Sequence, residues 1–208
     1  MYTVFTSPGS GGFAAEAMLE AGSAKWQREI VDTSKDQHKS ANYLAMNPAA
    51  QVPALKLPDG TVMTESAAIC LYLGDAHPET GLAPDISSPA RPHYLRWMVY
   101  LPAVVYEADL RYFYCERYTA DPAGAAGVKA CAATQMSKAF AILDKRLDEA
   151  KWLAGDTISA ADIYMTMLAS WHPDAAAMKK TCKNVARVWD AVAGLDYVKK
   201  TNEIHELW

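Results

Sequence analysis

Cysteine is scarce in this chain. Its 208 residues carry four thiols, Cys70, Cys115, Cys131 and Cys182, with no CxxC pair and no metal-ligand spacing among them. That speaks against a dithiol redox centre and against a metal site, and scattered single thiols fit a reducing cytoplasm. Basic runs are missing as well, and the net charge is −4, so a phosphate backbone, and with it nucleic acid, is not an expected partner. No apolar stretch approaches the roughly 20 residues that cross a bilayer, so no membrane span is expected. The opening residues, Met1-Tyr2-Thr3-Val4-Phe5, lack a charged n-region and read as a strand rather than a signal peptide. No internal repeat or low-complexity tract stands out. The expected location is the cytoplasm.

What is abundant is core-forming material. Hydrophobic residues make up 51% of the chain and charged ones 21%, which rules out intrinsic disorder and allows one large domain or two small ones. Residues 1–78 alternate strand-like and helix-like runs. Tyr2 to Thr6 is a strand, Ser7-Pro8-Gly9-Ser10-Gly11-Gly12 a turn, and Phe13 to Ala21 a helix stopped at Gly22. Gln27 to Val31 offers a second strand, and Ala41 to Met46 a short helix ended by Asn47-Pro48. Two further strand-like runs flank Pro58-Asp59-Gly60, a hairpin signal, and a helix follows from Glu65 to Asp75. Residues 79–92 are rich in Pro and Ser and read as a linker. Residues 93–208 show helical periodicity only, with helices over Tyr94 to Glu116, Gly127 to Ala150, Ser159 to Trp171, Asn184 to Ala193 and Tyr197 to Asn202. The expected fold is therefore a small α/β domain followed by an all-α domain.

Two segments carry the chemistry. In Gln51-Val52-Pro53-Ala54-Leu55 a proline opens a strand after a β-branched residue, which suits a cis peptide and leaves an unpaired backbone edge. An extended peptide can add to such an edge as an extra strand. In Thr64-Glu65-Ser66-Ala67 the serine opens a helix whose free N–H groups and dipole attract a carboxylate, while Glu65 can hold an ammonium. Together they describe a pocket for a small zwitterionic peptide.

At these residues the chain resembles the glutathione transferase superfamily over nearly its whole length, as a thioredoxin-like domain, a linker and a helical bundle. The run from Asn42-Tyr43-Leu44-Ala45-Met46-Asn47-Pro48 to Gln51-Val52-Pro53-Ala54-Leu55 is most similar to the bacterial beta class. Gly155-Asp156-Thr157-Ile158-Ser159-Ala160-Ala161-Asp162 resembles the family's folding box, physically a capping box of Ser159 and Asp162 with an Ile158–Ile163 staple. The resemblance implies glutathione as co-substrate, held through backbone groups of Gln51 and Val52 beside cis Pro53. Glu65 and Ser66 would take its γ-glutamyl end and His38 its glycyl carboxylate; a solvated loop histidine is the alternative for His38. A homodimer is likewise implied.

The activating residue departs from the beta class, whose cysteine position is here Gly11 and whose helix histidine is here Tyr106. Ser10, directly after Pro8-Gly9, instead resembles the activating serine of delta-type members. Ionising a thiol of pKa about 8.5 at neutral pH takes roughly two units, about 2.7 kcal/mol. A hydroxyl donated to the thiolate supplies about 1.5–3 kcal/mol and a helix N-terminus about 0.3–1 kcal/mol. Three alternatives stand beside it: Ser10 as a helix cap only, Ser7 as donor, or backbone amides of the glycine-rich turn. For a small hydrophobic electrophile or a peroxide, Phe13, Tyr106, Tyr112, Phe113 and Trp171 are the candidate wall, with the Tyr106 phenol placed to serve a leaving group. Aromatics at helical spacing are more often core. The function expected is glutathione transfer. The competing readings are a non-catalytic binding module of the same fold and, weakly, a disulfide oxidoreductase.

Overall fold

The computed structural model describes residues Met1–Trp208, which divide into two compact units. The first comprises Met1–Ala83 together with Ala193–Trp208. At its centre is a four-stranded sheet in the order β2-β1-β3-β4, made of β1 (Tyr2–Thr6), β2 (Trp26–Ile30), β3 (Ala54–Lys56) and β4 (Val62–Met63). β1 pairs parallel to β2 and antiparallel to β3, and β3 pairs antiparallel to β4. As an interior strand, β1 is buried along almost its whole length. The hairpin turn forms as its chemistry demands: the Asp59 carboxylate accepts the Thr61 N–H at 2.9 Å, and Gly60 takes a φ of 93° that other residues resist.

Helix α1 (Gly12–Ala21) lies against α3 (Ser66–Ala76) and α10 (Asp196–His205), while α2 (Ala41–Met46) is a short outer helix. Every residue of α1 from Gly12 to Leu19 is buried, so the helix has no polar face to offer solvent. Fully burying Phe13, Met18 and Leu19 contributes about 1.5–3 kcal/mol each. The division expected at residues 78 and 93 is thus corrected at the far end of the chain. α10 belongs with the sheet rather than with the helical bundle, because its buried Val198, Thr201 and His205 complete the surround of α1.

The second unit, Pro84–Val192, is all helical. It contains α4 (Arg91–Tyr100), α5 (Glu107–Phe113), the 25-residue α6 (Ala125–Glu149), α7 (Ala160–Ser170), α8 (Ala175–Thr181) and α9 (Lys183–Ala193). The single helix expected over Tyr94 to Glu116 is broken in two respects. Leu101–Tyr106 widens into a π-helical stretch in which the Glu107 N–H reaches back five residues to the Pro102 carbonyl. Pro102 has no N–H for an α-helical bond, which accounts for the widening there. The helix then ends at Phe113, three residues early. α8 was not expected; it starts at Asp174, whose carboxylate accepts the Ala177 N–H at 2.8 Å.

The core of this unit is α7, buried from Ala160 to Ala169. Its capping box is present, with Asp162 accepting the N–H groups of both Leu153 and Ser159 at 2.9 Å and the Ser159 hydroxyl at 3.0 Å. No helix in the chain is long and apolar enough to cross a membrane.

Candidate functional site

The strand register gathers the expected peptide-binding residues at one end of the sheet. Phe5 pairs with Ala54, and Leu55 pairs with Met63. The turn leaving β1, the entry to β3 and the exit from β4 therefore stand side by side. Residues Ser7–Gly12, Gln51–Pro53 and Thr64–Ser66 occupy those three places. The parallel pairing of Thr6 with Ile30 brings the segment after β2, which carries His38, to the same end.

The turn after β1 folds tightly against its own strand. A Cβ on Gly12 would stand 2.0 Å from the buried Thr6 Oγ1, so only glycine fits there. Gly9 is left-handed, with φ 72°. Ser10 Oγ accepts the Ser7 N–H at 3.4 Å and the Gly12 N–H at 3.3 Å, and lies 3.2 Å from Thr6 Oγ1. The oxygen is thus committed to the turn, and its proton goes either to Thr6 Oγ1 or to another acceptor. Ser7 is half-buried, its hydroxyl 3.5 Å from that of Thr33.

At β3 the Val52–Pro53 peptide is cis, and ladder pairing begins only at Ala54. The Gln51 carbonyl is occupied from behind, accepting the Tyr43 phenol at 2.6 Å and the Asn47 amide at 2.8 Å. Asn47 in turn accepts the Ala49 N–H at 3.1 Å. Tyr43 and Asn47 are thus supports that local pattern does not reveal; their one signal is their place in the segment that resembles the family. Burial raises the Tyr43 phenol above its ordinary range.

Glu65 is exposed and stands at the N-terminus of α3 with φ 64° and ψ 101°. A non-glycine residue held there costs of order 1–3 kcal/mol, and such strain clusters at ligand sites. Ser66, the first residue of α3, is buried. His38 is half-buried, and its Nδ1 is enclosed without a hydrogen-bond partner.

The aromatic residues sort differently from expectation. Phe13 is 0% exposed, its ring packed edge-on against His205 at 5.5 Å and Trp208 at 5.4 Å. It is core of the first unit and does not line a substrate wall, because the first turn of α1 faces the chain's last helix. In the second unit, Tyr106 lies in the π-helical stretch with its ring 5.1 Å from that of Trp171, both half-buried. Tyr112 and Phe113 meet edge-on at 5.1 Å, with Lys129 Nζ 4.6 Å from the Tyr112 ring centroid and Phe113 exposed.

Three residues beyond Tyr106, Asp109 is 2% exposed and neither of its carboxylate oxygens has a hydrogen-bond partner. Burial pushes it up to about 8, so it holds its proton at neutral pH. Its neighbours do not betray this, since Glu107 and Arg111 beside it form an ordinary surface pair at 2.9 Å. Two cavities in this unit, of about 490 and 350 Å³, are lined by none of the expected site residues.

Comparison with known proteins places this geometry in a family. Residues 15–76 match the profile described as glutathione S-transferase, N-terminal domain, and residues 107–196 the profile for the C-terminal domain. Glutathione S-transferase GST-4.5 of Xanthomonas campestris pv. campestris is 30% identical over 168 residues, 81% of each chain. The structure of a sphingomonad glutathione S-transferase complexed with glutathione superposes with a TM-score of 0.85, at 28% identity over 99% of this chain and 100% of that one. A bacterial beta class enzyme of Sphingomonas chungbukensis gives 0.84 at 25% identity, again over 99% and 100%. With both family profiles matched and the fold shared from end to end, the chain belongs to the glutathione S-transferase family.

Proposed function

We propose that the protein is a glutathione transferase, which ionises the thiol of bound glutathione for attack on a small hydrophobic electrophile or a peroxide. The observation that carries the reading is the convergence of the Ser7–Gly12 turn, the Val52 backbone and the Glu65–Ser66 helix start at one sheet end. Val52 outside the ladder pairs with the cysteinyl residue, Glu65 and the N–H groups of α3 receive the γ-glutamyl end, and His38 faces the glycyl carboxylate. The Ser10 hydroxyl gives its proton to the sulfur while its oxygen stays bound by Ser7 and Gly12. Tyr106, beside Trp171, serves the electrophile's leaving group. The family habit supports a homodimer, and exposed Leu95 and Val99, one turn apart on α4, supply apolar surface for it. A stable monomer in light scattering would remove that part of the reading. A cytoplasmic setting suits both the scattered thiols and a glutathione-dependent reaction.

Calorimetry and a thiolate absorbance titration test the site together. Glu65→Ala is expected to weaken glutathione binding about 10–100-fold, by loss of a charge-assisted bond to the ammonium. Unchanged affinity would sink the pocket assignment. Ser10→Ala is expected to raise the bound thiol's pKa by about one to two units while affinity changes less. Coincident titration curves would transfer activation to Ser7 or to the turn's backbone amides. A second reading, a binding module without turnover, is favoured by the commitment of the Ser10 oxygen to its own turn. Glutathione binding with no ionisation and no product from a broad electrophile panel would establish it.

A further inference from the structure

The turn that would activate the thiol is buttressed by the last helix. Phe13 directly follows the turn, and its buried ring meets His205 at 81° and Trp208 at 75° between ring planes. One turn further along α1, the fully buried Glu16 has one carboxylate oxygen held by Arg28 Nε at 2.7 Å. Its other oxygen lies 3.1 Å from His205 Nε2, off the hydrogen-bonding direction, so neither atom has a directed partner. The His205 carbonyl oxygen lies just beyond Gly9, 3.9 Å from where a Cβ on that residue would stand. At the solvent end of the same contact, Lys200 pairs with Glu20. His205 and Trp208 thus fix the start of α1 on two sides, and the His205 backbone abuts the turn itself.

We propose that His205 and Trp208 are positioning residues for the thiol-activating turn, setting where the Ser10 hydroxyl and the first N–H groups of α1 point without touching the ligand. The inference rests on the glutathione reading given above. Edge-to-face ring pairs attract beyond the area they bury, and two of them meet on Phe13, the residue that directly follows the turn. The chemistry is more sensitive than the fold, because a displacement of about 1 Å at a reacting group can cost on the order of 100-fold in rate. The two ends of the peptide are held elsewhere, at Glu65–Ser66 and at His38. A shift of the turn therefore alters ionisation far more than affinity.

The test uses the full chain with Trp208→Ala, His205→Ala and His205→Phe, measured by site-resolved amide exchange without ligand and by thiolate titration and calorimetry with glutathione. In both alanine variants the Gly12 and Phe13 amides are expected to exchange about tenfold faster, while those of α7 keep the wild-type rate, marking a local rather than a global opening. The bound thiol's pKa is expected to rise by about one unit, with affinity altered less than about threefold. His205→Phe, which keeps a ring against Phe13, is expected to restore both. Wild-type exchange at Gly12 and Phe13 together with a wild-type thiol titration in Trp208→Ala would overturn the proposal, and the exposed indole makes that variant safe to fold. Should the wild-type protein fail to bind glutathione, the function reading falls by itself. The exchange rates of the ligand-free protein then decide, and unchanged protection overturns the positioning role.

Discussion

Replacing Asp162 by alanine is expected to lower stability by about 3–5 kcal/mol, because it strands two buried N–H donors and a buried hydroxyl at once. Leu153 and Ser159 each donate to this carboxylate at 2.9 Å, and their alternative partner, water, is excluded from a site whose carboxylate is 0% exposed. In a chain of this size about 2–4 °C of Tm is lost per kcal/mol, so the melting point should fall by roughly 6–20 °C. Asp162→Asn is expected to lie between, since its amide accepts from one of the two backbone donors and confronts the other with an N–H₂ group. Denaturant midpoints of the three proteins measure the series. An alanine variant within about 0.5 kcal/mol of wild type would show that α7 is held by its packing alone.

The second large effect is on pH dependence, and its sign is the reverse of ordinary acid denaturation. Asp109 holds its proton up to about pH 8 in the folded protein, against about 3.9 in an unfolded chain. Between those values the folded state binds one proton more than the unfolded state does. Stability therefore falls as pH rises, by about 1.4 kcal/mol per unit well below the folded pKa. Asp162, pushed up to about 6 by burial against its three hydrogen bonds, acts in the same direction but only between about pH 4 and 6. His172, which burial lowers, acts in the opposite sense below about pH 6.5. Asp32, Asp36, Asp59 and Asp85, lowered by hydrogen bonds and, at Asp32 and Asp36, by nearby lysines, oppose it only below about pH 4. The interval from pH 6.5 to 8 is thus left to Asp109. The wild-type protein is expected to lose about 1–2 kcal/mol across it, and Asp109→Asn to lose almost nothing. Parallel wild-type and variant curves from urea unfolding at several pH values would refute the assignment.

How far the sequence spoke depends on the range of the interaction. The hairpin and the capping box were legible because Asp59, Gly60, Ser159 and Asp162 act within three or four residues of themselves. The two-unit plan was legible from the switch between periodicities. Features set by distant partners were not. Phe13 looked like a substrate-facing aromatic because nothing local shows that His205 and Trp208 return to cover it. α10 was assigned to the bundle for the same reason: being a helix does not reveal which helix it packs on. Asp109 could not be told from a surface carboxylate beside Glu107 and Arg111, since its burial is a property of the assembled core. The supports behind Gln51 were present as letters, Tyr43 and Asn47, but their roles appear only when the chain turns back on itself.

Glu65 carries a further consequence. A redesign that optimised thermal stability alone would choose glycine there, since φ 64° is free of penalty only without a side chain. The gain would be a few kcal/mol at most, and the carboxylate at the mouth of α3 would be gone. The residue that most stabilises this backbone and the residue that the proposed ligand requires are therefore different, and the chain carries the second.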